Sequence, residues 1–199
     1  MNYKYLRKDA DTNRPLLDVL KKRWSPVNFS SDKIDKEMIE TLFEAARWTQ
    51  SSRNTQPWRF IYATKDDPKN FECLANLLSE GNGYAKNAYL LLLGCAVLNY
   101  EDREGVNQHA QYDTGAAMNN IFLQAVSMDL IAHEIGGFDK ERAFTQLNIP
   151  KNVEPMAMMA IGYPTSPEEV EERFLEKQNR PRVRKTLKEI VFKDKWVNK

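Results

Sequence analysis

Cysteine and histidine are nearly absent from this chain of 199 residues, with two of each: Cys73, Cys95, His109 and His133. A four-ligand zinc site would need all four, and no pair has finger-like spacing, so no metal centre is expected. Cys95 sits in an apolar run and reads as a small buried hydrophobe. Cys73 falls on a predicted helix, and nothing supports a disulfide between them. A surplus of either charge is also missing. Lys and Arg total 29 against 28 Asp and Glu, a net of +1, which argues against binding nucleic acid or a membrane through bulk charge. The longest apolar run, residues 88–98, is too short to span a bilayer, and Met1 to Lys8 carry no apolar signal segment. A cytoplasmic protein is expected. No Gly-x-Ser-x-Gly elbow, Gly-x-Gly-x-x-Gly fingerprint or P-loop occurs. Serine hydrolysis, a tightly held dinucleotide and phosphoryl transfer are therefore disfavoured.

What is present builds a core. Hydrophobic residues make up 42% and aromatics 11%, enough for one domain over residues 1–199. Pro15 opens a first helix on which Leu16, Leu17, Leu20 and Trp24 share a face, and Pro26 ends it. Asp35 caps a second helix, with Met38, Ile39, Leu42, Ala45 and Ala46 at helical spacing. The polar run at 49–57 is a loop leading to a strand at 59–63. Asp67-Pro68 starts a third helix with Phe71, Leu74, Leu77 and Leu78 inward, and a Gly81-Asn82-Gly83 turn follows. Residues 89–97 are apolar on both faces and predict a central strand. A long helix covers about residues 109–128, where Gly115, Ala116 and Ala117 permit another helix to approach closely. Asp139 caps a short helix, and residues 155–163 read as another strand. From residue 166 to 185 the chain is strongly charged, with Val170, Phe174 and Leu175 as its few core candidates. Leu187, Ile190, Val191, Phe192 and Trp196 then return, so a charged tether ending in a short apolar strand is expected to dock on its own sheet or a partner's.

Three segments place unusual polar residues at element boundaries. Lys21-Lys22-Arg23-Trp24-Ser25 ends the first helix; it can neutralise a phosphate, or simply complement the helix dipole as a solvated basic end. The loop from Ser51 to Trp58 gathers hydroxyls, amides and a guanidinium that suit a planar polar ligand, or else satisfy their own backbone. Gly136-Gly137 lets backbone N–H groups approach a ligand, or merely turns the chain. His109 and Asp113, four apart on one helix face, suggest a surface hydrogen bond rather than a metal or acid–base pair. A structural role is expected of His133 beside Glu134.

Taken in order, these segments resemble the FMN-dependent nitroreductase family over residues 16–191. The resemblance rests on Arg23-Trp24-Ser25-Pro26-Val27-Asn28-Phe29, and on Ser51-Ser52-Arg53-Asn54-Thr55-Gln56-Pro57-Trp58-Arg59-Phe60. It continues through Asp113-Thr114-Gly115-Ala116-Ala117, the Gly136-Gly137-Phe138-Asp139 turn, Leu147-Asn148-Ile149-Pro150 and Ile161-Gly162-Tyr163-Pro164. A basic cluster, Arg182, Arg184 and Lys185, precedes the closing Leu187-Lys188-Glu189-Ile190-Val191. Val27 stands where such proteins usually have a third basic residue, and Trp24 where an Arg or His is common.

The resemblance implies an α+β fold: a mostly antiparallel central sheet flanked by helices, with a C-terminal strand exchanged in a homodimer by an arm at 166–199. It implies FMN at the subunit interface, with Arg23 and the Arg182, Arg184 and Lys185 cluster on the phosphate and ribityl chain. The Trp24 backbone and Ser25 would face the pyrimidine edge. Gln50, Ser51, Ser52, Asn54 and Gln56 would come from the partner subunit, and Gly136 and Gly137 would meet flavin N5. No side chain is expected to carry the chemistry, which belongs to the flavin. NADH or NADPH would reduce it and a small electron acceptor, such as a nitroaromatic or quinone, would reoxidise it. Related flavin reactions, such as reductive dehalogenation or enone reduction, and a non-catalytic flavin-binding role are the alternatives.

Overall fold

The computed structural model describes residues 6–196. Four strands, β1 (Trp58–Thr64), β2 (Leu90–Val97), β3 (Ile131–Ile135) and β4 (Val153–Gly162), form one sheet in the order β1-β2-β4-β3. Every neighbouring pair is antiparallel. The centre of the sheet is β2, buried along its whole length. Its side chains alternate between two cores, as strand geometry requires. Leu91, Leu93 and Cys95 join Phe71, Leu74, Tyr84 and Phe174 on one face. Leu90 and Leu92 join Ile39, Leu42, Met118 and Ile121 on the other.

Helices cover both faces. α2 (Lys36–Arg47) and α4 (Ala110–Ser127) pack on the second core, and α3 (Pro68–Ala75) and α5 (Lys140–Gln146) on the first. Asp67 and Asp139 cap α3 and α5 by accepting from the amides of Asn70 and Arg142, as read from the sequence. The α4 helix crosses β2 at Gly94, where an added Cβ would lie 2.4 Å from the Met118 sulfur. Among the described residues no helix is long and apolar enough to cross a membrane.

Four expectations need correction. First, α1 (Asp18–Lys22) is shorter than the leucine face suggests; Leu16, Leu17 and Leu20 are exposed, and of that face Trp24 alone is buried. Second, β3 was not expected, because His133 and Glu134 interrupt the apolar pattern of a five-residue strand. Third, the charged segment is no bare tether. It forms α6 (Glu172–Asn179), whose Phe174 and Gln178 are buried against its own chain. Fourth, Leu187–Ile190 make a helical turn, α7, with a Thr186/Glu189 capping box. Val191 then leaves in extended conformation, and the four-stranded sheet does not include it. A strand of three residues has no stability without a ladder to join. Thiols Cys73 and Cys95 are free, and burial pushes Cys95 up to about 12, with Glu154 adding to the shift.

Candidate functional site

The end of α1 is held from outside the helix. Arg182 donates to the carbonyl oxygens of Lys21 at 2.7 Å, Leu20 at 3.2 Å and Lys8 at 3.0 Å. Leu20 and Lys21 contribute C-terminal helix carbonyls, the groups a helix leaves unpaired. The chain then leaves as an irregular strip. Arg23 lies over the Phe122 ring of α4 at 5.1 Å and reaches the Ser25 hydroxyl at 3.5 Å. Trp24 is buried under the Lys8 ammonium, 4.6 Å from its ring centre. Val27 is buried, and its amide donates to Gln178 Oε1 at 2.9 Å, while Gln178 Nε2 donates to Asn28 Oδ1 at 3.0 Å. Position 27 therefore points into the core, where a cation would be desolvated. Its valine is packing, and α6 supplies the polar partner.

Gly136 and Gly137 follow β3 directly. A Cβ on Gly136 would meet nothing within 4 Å, so the backbone there is open to a ligand. Gly137 faces inward: an added Cβ would sit 2.6 Å from Asn82 Nδ2. Its carbonyl accepts from the Ser79 amide at 3.1 Å, the Ser79 hydroxyl at 2.9 Å and Asn82 Nδ2 at 3.0 Å. Asn82 carried no role in the sequence; here it pins the turn. Three residues before Gly136, on β3, His133 touches both sides. Its Nδ1 lies 2.9 Å from the Pro26 carbonyl and its Nε2 3.0 Å from the Tyr84 hydroxyl. Burial lowers the imidazole to about 4, helped by Lys177 and Arg23 and opposed by the Pro26 bond. Glu134 is accessible, yet its packing raises the carboxyl above the usual range, with Arg23 opposing.

The polar loop lies elsewhere. Ser52 donates its amide to buried Asp113 at 3.0 Å, and Gln56 donates its amide to Ser51 Oγ at 3.0 Å. Asn120 and Asn107 hold Thr49 and Thr55 at 2.7 and 3.2 Å. Arg53, Asn54 and Gln56 have φ of 54°, 58° and 46°, a left-handed run that turns Gln50, Asn54 and Gln56 outward to solvent. Asp113 is thus a buried loop anchor, not half of a surface pair with His109. Ser52 hangs on Asp113 and Arg23 lies over Phe122, two anchors about 13 Å apart along α4, while Thr49 at the start of the loop is held between them at Asn120. Arg184 donates to its neighbour's carbonyl, Val183, and it and Lys185 are exposed. Of the candidate residues, Arg23, Trp24 and Ser25 gather near Gly136 and Gly137 through His133, and Arg182 underpins them. The loop group and the Arg184–Lys185 pair are not brought to them within one chain. Sequence reasoning assigned nothing to Tyr84, Asn82, Lys177 or Gln178, whose partners lie far off in the chain.

Fold and site define an α+β domain with a cationic, hydroxyl-bearing strip beside an open glycine turn. The chain belongs to the nitroreductase family, whose model matches residues 20–163. An uncharacterized 15.4 kDa protein of Mycolicibacterium smegmatis is 37% identical over 130 residues, 65% of this chain and 86% of that one. YfhC of Bacillus subtilis, to which NAD(P)H nitroreductase activity is ascribed, is 24% identical over 79% of this chain and 89% of its own. A crystal structure of an oxidoreductase containing FMN superposes with a TM-score of 0.90 and 31% identity, covering 98% of this chain and 100% of that one.

Proposed function

We propose that this protein is an FMN-dependent oxidoreductase of the cytoplasm that takes reducing equivalents from NADH or NADPH and delivers them to a nitroaromatic, quinone or similar small acceptor. The observation that carries this reading is the open Gly136 backbone beside the Arg23–Ser25 strip, in a fold shared with an FMN-containing oxidoreductase. When bound, FMN supplies hydride exchange at N5, which no side chain of this protein can provide. The chain's own residues bind and orient. Arg23, with the Arg182, Arg184 and Lys185 cluster, meets the phosphate and ribityl chain, and Arg182 acts by fixing the end of α1. The Trp24 backbone and the Ser25 hydroxyl face the pyrimidine edge, where hydrogen-bond donors favour electron-rich flavin. The Gly136–Gly137 turn presents backbone to N5.

The loop carrying Gln50, Ser51, Ser52, Asn54 and Gln56 then serves the partner's cofactor, since within its own chain Ser52 is anchored on Asp113, toward the other end of α4 from Phe122 and the strip. A homodimer follows. It covers the exposed Leu16, Leu17, Leu20 and Tyr112, and packs against Gly115, beside which a Cβ finds nothing within 4 Å. The arm beyond α6 reaches the partner and lays its exposed Leu187, Ile190 and Val191 on it. With one open face, reductant and acceptor bind in turn, a ping-pong order. Anaerobic addition of NADH or NADPH is expected to bleach the yellow protein, and a nitroaromatic or quinone to restore the colour. Flavin that neither nicotinamide bleaches overturns the enzymatic reading.

A further inference from the structure

The strip and the glycine turn belong to distant parts of the chain; Pro26 and His133 alone are 107 residues apart. A line of polar groups through the core joins them. The Pro26 carbonyl can only accept, so His133 Nδ1 carries the proton. Nε2 is then an acceptor, and the Tyr84 hydroxyl 3.0 Å away donates to it. Tyr84 is only 1% exposed, with His133 at 4.9 Å and Phe174 edge-on at 5.4 Å between ring centres. The Lys177 ammonium stands 4.7 Å over the same ring. It donates to the Gly81 carbonyl at 2.8 Å and to Asn82 Oδ1 at 3.3 Å, the same oxygen that lies 3.4 Å from the Tyr84 hydroxyl. Asn82 completes the line by donating to Ser79 Oγ at 2.9 Å and the Gly137 carbonyl.

Two phenylalanines would fill this space as well as the tyrosine and histidine do. The polar pair adds direction, because the single Tyr84 hydroxyl proton goes to His133 and the single His133 ring proton to Pro26, and each bond fixes an angle as well as a distance. We propose that His133 is a positioning residue that, through Tyr84 and Asn82, sets the Ser25–Pro26 strip and the Gly136–Gly137 turn at one fixed spacing, so that both meet a single flavin ring. The claim rests on the reading of the site as an FMN cradle, but its geometric half concerns the protein alone.

Tyr84→Phe, His133→Phe and the double variant test it. Amide hydrogen exchange in the FMN-free protein is expected to quicken about tenfold at residues 135–138, with β2 unchanged, as loss of a buried hydrogen bond implies. In the flavin-loaded protein, FMN affinity is expected to fall about tenfold and the flavin midpoint potential to move. The double variant should cost no more than the worse single one, because both act through one line. Faster exchange with additive losses of affinity, or exchange that stays unchanged in Tyr84→Phe, which should fold whatever His133→Phe does, overturns the proposal. Faster exchange in a protein that takes up no FMN when unmodified supports the positioning and overturns the cofactor reading instead.

Discussion

His133 titrates at different pH in the folded and unfolded chain. The fold keeps its ring neutral to about pH 4, whereas the unfolded chain protonates near 6.5. Between those values the unfolded state binds more protons, so stability is full above about pH 6.5 and falls as the pH drops toward 4. The whole loss is up to about 3 kcal/mol. Urea unfolding followed from pH 7.5 to 4.5 should show this slope, and His133→Phe should flatten it relative to the unmodified chain. Asp113 makes a second test. Replacing it with alanine leaves the Ser52 amide without its buried acceptor, at a cost of about 1–3 kcal/mol. Asp113→Asn keeps an acceptor oxygen and should lose much less in the same unfolding experiment. Residues such as Asp113 were legible as part of a motif but not in role. Sequence spacing placed it opposite His109 on a helix, whereas the bond it makes runs to a loop 61 residues away.

At the scale of elements, legibility followed how local the physics was. The α5 cap depends on Asp139 and an amide three residues on, and β2 announces itself by a run of leucines that both cores need. In contrast, β3 is specified by its ladder to β4, and α6 by Phe174 and Gln178 docking into distant parts of the core. Neither partner can be seen from within the segment. The Arg23–Ser25 strip and the Ser51–Phe60 loop were visible as motifs, while the bonds that orient them, through His133 and Gln178 beside the strip and through Asp113, Asn107 and Asn120 at the loop, were not, since each partner lies far off in the chain. The contact between α4 and β2 yields a further prediction. Gly94→Val pushes a side chain into buried Met118, and overpacking there should cost about 1–3 kcal/mol. Pairing it with Met118→Ala opens room and should recover part of that loss in thermal unfolding.

For the whole molecule, the single chain leaves work undone. Leu16, Leu17 and Leu20 around α1, Tyr112 on α4, and Leu187, Ile190, Val191 and Trp196 in the arm stand exposed. In the proposed homodimer a second copy covers them and brings its Gln50–Gln56 loop to the strip. Truncation after Lys185 keeps the basic cluster but removes the apolar end of the arm, so it should release FMN and yield single chains together. The most direct measurement is sedimentation of the purified full-length protein, recorded at both the protein band and the visible flavin band. The account predicts one yellow species with the mass of two chains and one flavin per chain. A colourless species of one-chain mass that stays colourless after incubation with FMN would contradict it.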